Sequence, residues 1–265
     1  MPEAKVNGIT IDYKVEGQGE PLIMIIGLSS NRSNWRLQTT LFKKYYRTIT
    51  FDNRGSGKSD KPAGPYTTKT MADDTIDLMD HLGIEKAHVL GVSMGGMVAQ
   101  ELAINYPEKV DKLVLGCTFA WRDETSGFSS EINEALEAYE RSSRDVVSLR
   151  SLASVFIDLS FNKKFYGVLL LPFMKIAIRF SAITGFVEQL EAILTHDEAD
   201  RLRMIKASTL VMTGTEDRVI KPISSDVIAS LVPKAKLVKV LGGSHGFSGE
   251  MSGEFNREVL DFLRN

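Results

Sequence analysis

The stretch that most restricts this chain runs from Ala87 to Tyr106. An apolar segment through Leu90 enters Gly91-Val92-Ser93-Met94-Gly95 and leaves with apolar Met97, Val98, Leu102 and Ala103 at helical spacing. A strand feeding a helix through a turn with glycine two residues either side of serine reads as a nucleophile elbow. So sharp a turn would drive side chains at positions 91 and 95 into neighbouring backbone, and glycine alone escapes this. Ser93 is left with its hydroxyl lifted clear and helix amides behind it. Alone the pentapeptide is a weak signal, because Gly-rich strand-to-helix turns belong to any doubly wound sheet. Its weight depends on the rest of the chain.

The rest supplies a repeating pattern. Asn7-Gly8 between alternating segments predicts a hairpin. Pro21 to Ile26 is continuously apolar, as in a strand buried on both faces, and ends in the small-residue loop Gly27-Leu28-Ser29-Ser30-Asn31. A helix is expected from about Ser33 to Lys43, a strand over Tyr46 to Phe51, and a helix over Thr68 to Leu82 that Gly83 stops. After the elbow comes a strand over Val110 to Cys117. Strand and helix alternate, which predicts an α/β fold with a mostly parallel central sheet and helices on both faces. From about Phe119 to Arg201 the alternation stops. Ile132 to Tyr139, Val146 to Leu159, Val168 to Phe180 and Phe186 to Leu194 all read as helices. Strands return at Thr209 to Thr213 and Lys236 to Leu241, and a helix from about Gly249 to Leu263 closes the chain. The expected organisation is a core over residues 1–119 and 201–265, with an all-helical cap inserted at 120–200 over the sheet's carboxyl edge.

Composition removes several classes of function. With 265 residues and a formal net charge of −2 the chain can bury an ample core, and it carries no basic footprint for nucleic acid or a membrane surface. The single cysteine, Cys117, excludes an intrachain disulfide framework and fits a reducing compartment. No apolar segment follows Met1-Pro2-Glu3-Ala4-Lys5 as a secretory signal would require. Phe165 to Phe180 is interrupted by Pro172, Lys175 and Arg179 and is too short to span a bilayer. A soluble, cytoplasmic protein is expected, and a homo-oligomer is compatible with the sequence. Gly57-Lys58-Ser59 imitates a phosphate-binding loop, but the position that loop needs as glycine is Asp52, whose carboxylate would repel phosphate. Asp52 and Arg54 are expected to form a structural pair bracing this loop. No metal-ligand spacing of His or Cys is present and no cofactor is implied.

A serine hydroxyl needs a base within hydrogen-bond reach. Of the four histidines, His81 and His88 read as surface or structural, and His196 as a helix-capping residue beside Asp197. His245 lies in Gly242-Gly243-Ser244-His245-Gly246 after the last strand, on the sheet edge that carries Ser93. The base in turn needs an acceptor. Glu216 and Asp217, after the preceding strand, both qualify, and Asp123 and Glu124 are further candidates.

With serine, acid and histidine at successive strand ends, the chain resembles the α/β-hydrolase fold family, and more closely its small cap-bearing serine esterases. The resemblance covers nearly the whole chain and includes Asp52 to Asp60 and the lead Arg201 to Val211, although the family often has Pro where Ser208 stands. It implies Asp217 as the acid and the amides of Leu28 and Met94 as oxyanion donors. At Ile26-Gly27-Leu28 the family often has His-Gly-x. The implied activity is hydrolysis of carboxylic esters with small to medium apolar acyl groups, through an acyl-enzyme, with a small-molecule ester as the substrate. Alternatives with the same triad are an enol-lactone, C–C bond or thioester hydrolase or a perhydrolase. The non-enzyme alternative is a ligand receptor on the same fold. Epoxide hydrolases and dehalogenases are disfavoured because they carry aspartate where this chain has Ser93. The apolar Phe128, Leu136, Leu152, Phe156, Leu170, Phe173, Ile176, Phe186 and Leu190 are candidate lining for the pocket beneath the cap.

Overall fold

Alternation within the central strands decides the layering. Leu22, Met24, Leu90, Val114, Leu210 and Met212 face one core, and their neighbours Ile23, Ile25, Val89, Leu113, Leu115 and Val211 face another. Period-2 side chains that are apolar on both sides require a cover on both sides. A computed structural model describes residues 2–123, 125–162 and 183–265. Among them the strands are β1 (Glu3–Val6), β2 (Ile9–Glu16), β3 (Pro21–Ile25), β4 (Arg47–Phe51), β5 (Ala87–Val92), β6 (Val110–Gly116), β7 (Ser208–Gly214) and β8 (Ala235–Val240). They form one sheet in the order β1-β2-β4-β3-β5-β6-β7-β8, antiparallel at β1–β2 and β2–β4 and parallel from β4 onward. The Asn7-Gly8 hairpin forms as expected, with φ of 44° and 76° and Val6 paired to Ile9.

The helices are α1 (Arg36–Phe42), α2 (Thr68–His81), α3 (Met94–Asn105), α4 (Ser130–Arg141), α5 (Val146–Ser160), α6 (Ile183–Leu194), α7 (Ile223–Leu231), α8 (Phe247–Glu250) and α9 (Ser252–Arg264). Helix α1 follows a 3-10 turn over Arg32–Trp35, and the expected last helix is broken at Met251. α2, α3 and α7 supply side chains to the core that holds Ile23 and Val89, and α1 and α9 cover the other face through Phe42, Phe255 and Val259. α3 is the central helix: every residue but Asn105 is buried. α4, α5 and α6 lie between β6 and β7, and β6 and β7 are adjacent, so this helical segment interrupts a direct crossover. The helix expected at Val168 to Phe180 lies outside the described residues. Among the described residues no helix is long and apolar enough to cross a membrane.

Strand order places the site. After β3 the chain moves outward to β4, and after β5 it moves the other way to β6, while β3 and β5 are neighbours. That reversal opens a crevice at the carboxyl ends of β3 and β5, where open α/β sheets bind ligands. Gly27-Leu28 follows β3 and Ser93 follows β5, so both border it.

Candidate active site

Ser93 stands between β5 and α3 with φ 55° and ψ −126°, backbone that L-residues rarely adopt. The two flanking glycines are required for the reason the sequence suggested. A Cβ at Gly91 would run into the Gly95 carbonyl oxygen, and one at Gly95 into the Ile25 carbonyl oxygen. The strained turn is held by the Ser93 amide on the Gly116 carbonyl (2.9 Å) and by the Thr118 hydroxyl donating to the Ser93 carbonyl (2.9 Å). α3 begins at Met94, so the first amides of a twelve-residue helix, with the positive end of its dipole, lie directly behind the half-buried hydroxyl.

His245 faces Ser93. Its Nε2 is 3.0 Å from Ser93 Oγ, and its Nδ1 is 2.8 Å from Asp217 Oδ2. The carboxylate can only accept, so Nδ1–H donates to Asp217 and Nε2 is free to accept from the serine hydroxyl. The other oxygen of Asp217 accepts from the amides of Val219 and Ile220, each at 2.9 Å. Those two bonds fix the carboxylate in a fully buried orientation. Glu216 is exposed and points elsewhere. Asp123 folds back on Thr125, Ser126 and Trp121, and Glu124 lies outside the described residues. Among the described candidates the geometry therefore joins Asp217, not Glu216 or Asp123, to His245.

The loops carrying Asp217 and His245 are packed on each other. A Cβ at Gly214 would strike the Gly243 carbonyl oxygen, and the Glu216 amide donates to that oxygen at 2.9 Å. The end of α5 secures the other side of the histidine, because the Ser160 carbonyl accepts from the Gly246 amide at 2.7 Å. Gly27 is equally close to Ser93: a Cβ there would be 3.1 Å from Ser93 Cβ and 3.5 Å from its Oγ. Leu28, the next residue, is half-buried.

Cys117 is buried behind the relay, its thiol within 4.8 Å of ligand atoms of Asp217 and His245. Burial, then the Asp217 charge, pushes that thiol well above its usual range. Among the described residues these three form the only grouping with metal-ligand potential, and its carboxylate and imidazole are already bonded to each other.

The chain belongs to the α/β-hydrolase fold family. The family model matches residues 20–250, which spans the elbow, the acid and the histidine. The chain is 26% identical to the proposed carbamate hydrolase RutD of Azorhizobium caulinodans over 99% of this chain and 98% of that protein. It is 30% identical to 2-hydroxymuconate semialdehyde hydrolase of a Pseudomonas species, over 97% and 91% of the two chains. The enol-lactonase of Burkholderia xenovorans superposes with a TM-score of 0.88 at 26% identity, covering 100% of both chains. This α/β hydrolase thus has relatives acting on chemically different bonds.

Three expectations need correction. Arg54 does not pair with Asp52: its Nε and a terminal nitrogen each lie 2.6 Å from an oxygen of Asp74, in a buried bidentate pair. Asp52 instead accepts from the amides of Arg32 (2.7 Å) and Lys58 (2.8 Å). Phe128, Leu136, Leu152, Phe186 and Leu190 are buried in one continuous core with the sheet and fasten the helical segment down, although Leu136 also borders a cavity with Arg122, Asn133 and Leu194. Phe156 is only partly buried against that core, and Leu170, Phe173 and Ile176 lie outside the described residues. Finally, His196 does not cap a helix. Its ring is buried, with Nδ1 3.0 Å from the Thr68 hydroxyl and Nε2 without a partner among the described residues.

Burial alone holds the His196 pKa down at about 3. An unfolded histidine protonates near 6.5, so this ring favours the fold fully above that pH. Its contribution is lost as pH falls, by up to about 1.4 kcal/mol per pH unit below 6.5. Melting temperatures at pH 7 and pH 5 should therefore differ less in His196→Gln than in the wild type. An unchanged difference would mean that the ring takes up its proton inside the fold.

Proposed function

We propose that this α/β hydrolase cleaves carboxylic esters with small to medium apolar acyl groups through an acyl-enzyme. The observation that supports this most is the Ser93–His245–Asp217 relay, at 3.0 and 2.8 Å, bordering the crevice between β3 and β5. In this reading His245 Nε2 takes the hydroxyl proton as Ser93 Oγ attacks the carbonyl carbon. The carbonyl π electrons move to oxygen, and the amides of Leu28 and Met94 hold the resulting oxyanion, one such donor being worth about 3 kcal/mol. His245 then gives its proton to the leaving alcohol, and Asp217 offsets the imidazolium charge meanwhile. Water repeats the attack on the acyl-enzyme, activated by the same nitrogen, and restores Ser93.

A second reading, enol-lactone hydrolysis, draws on the Burkholderia enol-lactonase. It needs no change in mechanism, because an enol lactone is an ester whose leaving group is an enol tethered to the acyl carbon. C–C bond hydrolysis and a binding function without turnover remain the alternatives that the same experiment must separate. A p-nitrophenyl ester series from acetate to laurate, run beside a panel of lactones and dienoic keto acids, tests all of them. Specificity (kcat/KM) should rise about fourfold per methylene over the first few carbons, the equivalent of roughly 0.8 kcal/mol each. It should then fall for long chains. A flat profile or a long-chain optimum would refute the acyl-size reading, and turnover of lactones alone would move the substrate class.

A further inference from the structure

The Gly27-Leu28-Ser29-Ser30 turn is held open by a residue far away in sequence. The Ser30 amide closes the turn on the Gly27 carbonyl at 3.3 Å, and Ser29 sits at φ 54°, a position at which such turns ordinarily take glycine. With φ positive at its third residue, the central peptide of the turn is flipped relative to the commoner form, and the Ser29 N–H points outward. Gln189 of α6 meets it: Oε1 accepts from the Ser29 amide at 2.8 Å. The same side chain donates through Nε2 to the Arg54 carbonyl at 2.7 Å. Gln189 is fully buried, and its bond to the Arg54 carbonyl is buried with it.

Everything around this bridge is tied to one segment. Asn53 Nδ2 donates to the Ile26 carbonyl at 2.9 Å, and Asp52 receives the Arg32 amide. The loop after β3 is thus pinned at both ends by residues 52 and 53, and in its middle through Gln189 to residue 54. Residue 54 is itself anchored by the buried Arg54–Asp74 pair. α6 reaches this segment at backbone distance, because a Cβ at Gly185 would strike the Gly55 carbonyl oxygen.

We propose that Gln189 is a positioning residue for the oxyanion donor: it fixes the flipped Leu28–Ser29 peptide and so the placement of the Leu28 amide. This rests on Leu28 serving as a donor in the proposed hydrolysis. Without the glutamine the Ser29 N–H loses its acceptor and the strained φ loses its compensation, so the turn loosens, and with it the Gly27–Leu28 peptide that the Ser30 amide closes on. The loss falls on the transition state, where the oxyanion exists, and not on binding of the neutral ester.

The test compares Gln189→Leu, Gln189→Glu and Ser93→Ala with the wild type on p-nitrophenyl butyrate, with melting temperature measured alongside. Gln189→Leu should lower kcat about 10- to 100-fold, as expected of a donor misplaced by a fraction of an ångström, and leave KM within about threefold. Gln189→Glu keeps an oxygen to accept from the Ser29 amide in either protonation state and loses only the donation to the Arg54 carbonyl. It should therefore recover kcat to within about threefold of wild type where Gln189→Leu does not, a rescue that follows the acceptor and not the fold's stability. This second variant decides the matter if Gln189→Leu does not fold. Wild-type kcat in Gln189→Leu, or a kcat in Gln189→Glu as low as in Gln189→Leu, overturns the inference while an inactive Ser93→Ala leaves the hydrolase reading standing. Undiminished turnover in Ser93→Ala overturns that reading instead. The rate at which a p-nitrophenyl phosphonate modifies the protein at Ser93 gives the same comparison without a substrate, because the phosphonyl oxygen occupies the same donors.

Discussion

Ser93→Ala should abolish ester turnover, lowering kcat on the order of 10⁶-fold, while its melting temperature stays within a degree or two of wild type. The two halves of this expectation have separate physical grounds. Chemically, no neighbour can substitute for the lost hydroxyl: His245 Nε2 faces Ser93 Oγ, and Cys117 is buried with its thiol held protonated. Structurally, the turn is held by backbone groups that alanine retains. The residue 93 amide still reaches the Gly116 carbonyl, and its carbonyl still accepts from the Gly96 amide (2.8 Å) and the Thr118 hydroxyl. Alanine has the same Cβ, so the positive φ costs it no more than it costs serine. A phosphonate adduct mapped by peptide mass should fall on Ser93. An adduct on another serine, or turnover surviving in the variant, would refute the assignment.

The legible part of this fold is the part governed by period and by strand ends. Two-sided apolar strands such as Pro21 to Ile25 and Leu113 to Leu115 announce a doubly covered sheet, because their alternation has no polar face to leave in water. Once the strands are placed, Ser93, Asp217 and His245 fall at their carboxyl ends by counting. What resists reading is pairing across the fold. Arg54 lies two residues from Asp52 but twenty from Asp74, and only the packing of α2 against the loop after β4 shows which carboxylate it meets. His196 adjoins Asp197 in the chain yet bonds Thr68, which no local rule anticipates. Gln189 did leave a trace. It stands three residues after Phe186 and four before Ile193, on an apolar stripe, and an amide buried there must have partners. The trace gives the existence of those partners without their identity.

The adjacent acids after β7 show the same limit and give the second large effect. Asp217→Asn should cut kcat about 10⁴-fold with little change in KM, the loss seen when the acid of a serine-protease triad becomes an amide. The reason lies in how Asp217 is held. One oxygen is committed to the Val219 and Ile220 amides, so an asparagine would keep its carbonyl oxygen there and turn its NH₂ toward His245. Two donors cannot face each other across 2.8 Å. The imidazole must then give up the Nδ1 proton and carry it on Nε2, where it points at Ser93 and can no longer receive the hydroxyl proton. Fold and substrate binding survive, because the carboxamide fills the same space and retains the turn. Glu216→Gln should change kcat by less than about twofold, since its exposed carboxylate lies outside the relay. Steady-state kinetics on both variants decide between neighbours that differ by one residue. If Glu216→Gln were the inactive one, the base would be oriented from the solvent side of the turn. The two buried amide contacts to Asp217 would then serve the loop and not the chemistry.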